Sequence, residues 1–108
     1  MKLTELEPVF IRSVDTMTQE EVDTLQEADG IRFLCPKCLE GNKGRVGTHS
    51  VVCWRPKVPQ DVQPTPGRWE LQGTGMQDLT LVAGSSSVQL VGGCCAHFFV
   101  QQGEVRMC

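Results

Sequence analysis

Ile31-Arg32-Phe33-Leu34-Cys35-Pro36-Lys37-Cys38 is the stretch on which the reading of this chain turns. Its first four residues include β-branched and aromatic side chains that favour a strand. A proline then interrupts, and two cysteines stand two residues apart. That spacing lets a tight turn present both sulfurs to one tetrahedral ion. The stretch therefore reads as a strand that ends in half of a metal knuckle.

The other half is sought elsewhere, and Cys94-Cys95-Ala96-His97 repeats the spacing with Cys94 and His97. Cys35, Cys38, Cys94 and His97 together make a Cys3His set suited to zinc, tying the start of the sheet to its last hairpin. Such a closed shell has no open coordination position, so it stabilises and no catalytic residue is assigned. Cys95 would face away from Cys94 on an extended segment and reads as a buried thiol. Cys108 is terminal. His49 and Cys53 form a second pair: if 49–53 is extended, both lie on one face, and His49 can sit near the metal or replace a ligand. The plainer reading of that pair is a capped histidine and a core cysteine. A dithiol redox pair would need Cys35 at a helix N-terminus, and Leu39-Glu40-Gly41-Asn42-Lys43-Gly44 reads as a poor helix start. A zinc enzyme would need a water ligand and a nearby base. Glu40 and His49 are the residues the loops offer, without a His-Glu-x-x-His frame.

Composition supports a stapled fold. The chain has 108 residues, 6% aromatic and no tyrosine, a small stock for a core, and domains of this size often lean on a metal. No apolar run opens the chain and none approaches a membrane span. The expected address is cytoplasmic, where the six cysteines stay reduced. The net charge of −3 is unevenly spread. Glu5, Glu7, Asp15, Glu20, Glu21, Asp23, Glu27 and Asp29 face only Lys2 and Arg12 in residues 1–30. Residues 31–68 reverse this, with Arg32, Lys37, Lys43, Arg45, Arg55, Lys57 and Arg68 against Glu40 and Asp61. A basic middle can meet phosphate or an acidic protein face; the plainer reading is that its charges are spread over a loop-rich surface and partly neutralised by the acidic N-terminal segment.

Outward from the first knuckle, the chain reads as short strands at 9–14, 31–34, 50–54, 68–72, 79–82 and 87–91, then a hairpin of 97–100 and 104–107 around Gln101-Gln102-Gly103. One helix is expected at about 19–29. Thr18 and Glu21 have capping-box spacing, Val22, Leu25 and Ala28 share a face, and Gly30 supplies a stop. Loops occupy 39–49, rich in glycine, and 55–68, which holds Pro56, Pro59, Pro64 and Pro66. The expected class is mainly β (α+β): a small antiparallel domain, residues 1–108, with an N-terminal strand and helix in 1–30 and a Cys/His-containing β region in 31–108.

The ordered string Phe33-Leu34-Cys35-Pro36-x-Cys38, Gly47-Thr48-His49-Ser50-Val51, Gly67-Arg68-Trp69, Gly73-Thr74-Gly75-x-x-Asp78-Leu79-Thr80-Leu81 and Gly93-Cys94-x-x-His97-x-Phe99-Val100-x-x-Gly103-Glu104-Val105 resembles a phage and prophage family. That family is the domain of unknown function 6527 group of small metal-binding proteins. The resemblance implies a metal on Cys35, Cys38, Cys94 and His97, and it marks His49, Arg68, Trp69, Thr74 and Asp78 as recurrent positions. The chain departs from the pattern at Ser86-Ser87-Val88 and at Ala96. The resemblance implies no activity.

The expected function is a zinc-stabilised, non-catalytic phage accessory or interaction module, in the host cytoplasm if phage-encoded. Its partner would be a protein or nucleic acid met through the loops, with His49, Trp54, Arg45, Arg55, Lys57 and Arg68 as contacts. The alternatives are a zinc-dependent hydrolase or ubiquitin-system accessory with His49 near the metal, or a counter-defence inhibitor of phage origin.

Overall fold

The computed structural model describes residues 1–64, 67–82, 87–89 and 96–107. The fold is mainly β, and the described residues form three small antiparallel sheets and one α-helix. Strands β1 (Val9–Ser13), β2 (Gln19–Val22), β3 (Gly30–Leu34) and β4 (Ser50–Trp54) form a four-stranded sheet in the order β2-β1-β3-β4. Strands β5 (Glu70–Gln72) and β6 (Thr80–Val82) form a hairpin, and β7 (Ser87–Gln89), β8 (His97–Gln101) and β9 (Glu104–Met107) a third sheet. Helix α1 is Pro36–Asn42.

Alternation along β3 and β4 divides the large sheet into two faces. Ile31 pairs with Cys53 and Phe33 with Val51, and all four are buried in the main core. Phe98 of β8 meets Phe33 edge-on, at 6.0 Å between centroids, so the third sheet closes over this face. The opposite face carries a smaller core in which Ile11, Trp54, Val58 and Val62 pack together. The N-terminal segment straps the third sheet, with the Leu3 amide donating to Gly103 and the Val105 amide to Met1.

The helix expected at 19–29 is absent. Residues 19–22 are β2, paired with β1 from Ser13↔Gln19 to Phe10↔Val22. An isolated helix of that length is marginal, whereas a strand there gains a ladder and charged pairs, Arg12 with Glu20 and Arg32 with Glu21. Asp15 accepts the Met17 and Thr18 amides and closes the β1–β2 turn. Those amides hold the Asp15 carboxyl below its ordinary value. The capping pattern is real but lies further on: Thr24 and Glu27 hydrogen-bond in a single turn before β3.

Gly30 is not a helix stop but the first residue of β3, opposite Trp54. A Cβ there would lie 2.5 Å from the Cys53 carbonyl oxygen and 2.8 Å from the Trp54 ring, so the close approach of the indole requires glycine. The helix instead forms where a poor start was expected. Pro36 sits at its first position, where a missing amide costs nothing, and Lys43 ends it in the left-handed conformation with φ 54°.

The proline-rich loop is organised from within. The Arg68 guanidinium donates to the carbonyls of Val58, Pro59, Val62, Pro64 and Gly67, at 2.6–3.0 Å. Trp54 Nε1 donates to Gln63 at 2.8 Å, fastening the same loop over the smaller core. Asp78 does comparable work between β5 and β6, accepting the Thr74 and Gly75 amides and the Thr74 hydroxyl.

Candidate metal centre

The β3–β4 register fixes the site. Leu34 stands opposite Ser50, and one step further the Cys35 amide donates to the His49 carbonyl at 2.9 Å. Cys35 and His49 are therefore cross-strand partners at the open end of the ladder, with side chains on the same face as Phe33 and Val51. Pro36 then turns the chain into α1, with Cys35 at its N-cap. The Leu39 amide donates to the Cys35 carbonyl, closing the first turn. That turn carries Cys38 back over Cys35, as the helical i, i+3 relation requires.

The result is a group of three donors. One ligand atom each from Cys35, Cys38 and His49 all lie within 4.8 Å of one another. This cluster could hold a metal ion. Zinc–sulfur bonds of about 2.3 Å in a tetrahedron place neighbouring donors roughly 3.8 Å apart, so little contraction is needed. Cys35 is fully buried, Cys38 half-buried and His49 exposed, which gives the centre a dry floor and a wet side. His49 Nδ1 lies 3.3 Å from the Ser50 carbonyl oxygen, which can only accept. A proton on Nδ1 directed there leaves the Nε2 lone pair as the ligand, the usual second contact of a metal-bound histidine.

Of the residues expected to complete the shell, Cys94 lies outside the described residues, as does Cys95. His97 begins β8 opposite Gln89 and alternates with the buried Phe98; it is not part of the three-donor group. Cys53 is likewise outside it. It is a free, fully buried thiol of the main core, and burial drives its ionisation far upward, so it stays neutral.

The redox alternative met an obstacle opposite to the one expected. Cys35 does stand at a helix start, but its sulfur belongs to a residue with no exposed surface, while thiol exchange needs access.

The expected partner contacts separate into two groups. Trp54 is 1% exposed, and Arg68 is committed to the loop carbonyls. Arg55 donates to the carbonyls of Leu25 and Ala28 and to Glu70. These three organise the protein's own loops. Arg45 and Lys57 are exposed and pair with Glu7 at 3.6 Å and Asp29 at 3.2 Å. With Arg32 on Glu21, much of the basic middle is thus neutralised by the acidic N-terminal segment.

Among the described residues, no helix is long and apolar enough to cross a membrane. No protein-family model matches the chain, and no curated protein or solved structure shows significant similarity to it.

Proposed function

We propose that this chain is a zinc-stabilised, non-catalytic interaction module of phage origin, acting in the host cytoplasm. The observation that carries the reading is the convergence of Cys35, Cys38 and His49 at the base of the 36–48 loop. Two thiolates and an imidazole are a borderline-soft donor set that suits zinc over calcium or magnesium. A fourth protein ligand would be Cys94 of the second knuckle, which lies outside the described residues. With four protein ligands the ion is a staple, and the apparent free energy of such a site, about 10–16 kcal/mol, is folding free energy. The partner is a protein or nucleic acid, met on the loops that the staple and Arg68 hold in place.

Metal content and stability of the purified protein test this together. One zinc per chain, a large fall in the melting temperature with chelator, and loss of metal in Cys38→Ser are expected. Protein that contains no metal and melts unchanged in chelator refutes the proposal.

One observation favours a second reading. His49 is on the wet side of the centre, so a shell of Cys35, Cys38, His49 and water would be open to substrate. That arrangement suits a hydrolase. Cobalt substitution separates the two, because exogenous azide perturbs the spectrum of an open site and leaves a closed one unchanged.

A further inference from the structure

Solvent reaches the three donors of the metal centre to different depths. Cys35 has no exposed surface, Cys38 is half-buried and His49 is exposed. Neither cysteine is in a disulfide, and their sulfurs lie no more than 4.8 Å apart. The first turn of α1 sets this closeness, since the Leu39 amide donates to the Cys35 carbonyl and residue 38 comes back over residue 35. A disulfide needs about 2.05 Å between its sulfurs. A change of rotamer moves the Cys38 sulfur by up to about 3 Å, enough to close the gap while the buried Cys35 stays in place.

The two thiols are therefore suited to different steps of one oxidation. We propose that Cys38 is a modification site for hydrogen peroxide and other hydroperoxides, with Cys35 as its resolving thiol. Burial bars Cys35 from an external oxidant or thiol, but not from the sulfur beside it. The Cys38 thiolate attacks the peroxide: an S–O bond forms, the O–O bond breaks, and the departing hydroxide takes a proton to become water. The Cys35 thiolate then attacks the Cys38 sulfur. An S–S bond forms, the S–O bond breaks, and a second hydroxide leaves and is protonated to water. Two thiolates, one peroxide and two protons thus give one disulfide and two waters, and two electrons pass from the sulfurs to the peroxide. A small thiol reverses the reaction by entering at Cys38, the accessible sulfur of the pair. Cys53 is as buried as Cys35 but lies outside the three-donor group, so it is spared.

The consequence for the metal rests on the zinc reading above. A bound ion would tie the end of β3 and the first turn of α1 to His49 at the start of β4. The disulfide ties only residues 35 and 38 and consumes both thiolates, so the ion loses two ligands and leaves. Oxidation then removes the metal link to His49, while the backbone hydrogen bond from Cys35 to the His49 carbonyl remains.

Peptide mapping of the full chain tests this. Metal content is measured first. The protein is then treated with excess hydrogen peroxide, its remaining thiols are alkylated in denaturant, and it is digested with trypsin without reductant. Cleavage after Arg32, Lys37 and Lys43 places Cys35 in peptide 33–37 and Cys38 in peptide 38–43. The expected product is these two peptides joined by a disulfide and separated again by dithiothreitol, with one zinc released for each disulfide formed. Cys35→Ala should stop at the Cys38 sulfenic acid, which dimedone captures; if that variant does not fold, the wild-type map decides alone. The two readings fail separately. Protein that carries no metal yet forms the 35–38 link refutes the zinc reading and supports the oxidation site. Peptides that stay unlinked after peroxide overturn the proposal, as does Cys38 joined to any cysteine other than Cys35.

Discussion

Cys35 and His49 face each other across the last rung of the β3–β4 ladder, joined by a 2.9 Å hydrogen bond from the Cys35 amide to the His49 carbonyl. The pairing means that the strand register, rather than a second cysteine knuckle, brings the imidazole to the sulfurs. Cys35 is held by the core beneath it, and His49 by the ladder and by the Ser50 carbonyl. The fold itself therefore brings these two donors together.

On the proposed zinc reading, His49→Ala should weaken metal binding by more than about a hundredfold, since removal of even an outer partner of a metal ligand costs 10–100-fold. Competition against a chromophoric chelator measures it. His49→Gln, which keeps a polar side chain without the imidazole, should be nearly as weak. If both variants bind zinc as the wild type does, His49 is not a ligand.

Cys53 behaves differently although its rung lies in the same register. It is fully buried and its thiol is held neutral by burial. Native protein should leave Cys53 unalkylated by iodoacetamide at mildly alkaline pH, and denaturant should expose it. Peptide mapping of the labelled sites reads this directly. Rapid labelling of Cys53 in the folded protein would contradict the packing described.

Much of this arrangement could be read from the chain, and the reasons for the rest are physical. Strands β1, β3, β4 and β8 are rich in β-branched or aromatic residues and β9 follows a glycine turn, so their local signal and tertiary role agree. Gln19–Val22 did not: its charges and the Thr18/Glu21 spacing suit a helix, and only the need of β1 for a partner makes it a strand. Gly30 was visible as punctuation, but its cause, the Trp54 ring lying across it, is a long-range contact. Pro36 carried the helix-start signal that Leu39 to Gly44 obscured. His49 could be nominated but not chosen. Cys35 just after one strand and His49 just before the next are opposite only if the two strands pair without a slip, and a slip of one residue would send His49 to the other face.

Gly30→Ala follows from the Trp54 contact. The added methyl has no room against the Cys53 carbonyl and the indole, so the strands must part or the ring must move. Overpacking of this kind costs about 1–3 kcal/mol. Chemical denaturation should show that loss with little change in slope, and tryptophan fluorescence should shift as the indole is displaced. A neutral Gly30→Ala would mean the indole moves without penalty.

Acid should loosen the β5–β6 turn. Asp78 is held below its ordinary value, first by the Thr74 amide, then by the Gly75 amide and the Thr74 hydroxyl. A carboxyl depressed on folding contributes stability above its unfolded value and loses it as pH falls through the folded one. Asp15 at the β1–β2 turn has the same sign. The melting temperature should therefore decline as pH is lowered below the ordinary aspartate range, and Asp78→Ala should flatten part of that decline. The comparison is best made on chelator-treated protein, because acid would also release a metal held by thiolates. An Asp78→Ala curve parallel to wild type across that range would remove Asp78 from the account.

Arg68 offers the cleanest separation of structure from surface. Its five donors reach five backbone carbonyls between Val58 and Gly67, an arrangement that the planar guanidinium can serve and an ammonium cannot. Arg68→Lys keeps the charge, offers three donors and strands carbonyls in a partly buried loop. Hydrogen bonds to charged groups contribute about 1.5–3 kcal/mol each, and Lys recovers some of them, so a net loss of roughly 2 kcal/mol is expected. Trp54 should report the same event, because its indole donates to Gln63 inside that loop. Hydrogen exchange localised to 55–68, faster in Arg68→Lys while the Cys35–His49 rung stays protected, is the expected pattern. Were Arg68 a partner contact and not the loop's organiser, the substitution would leave both stability and exchange unchanged.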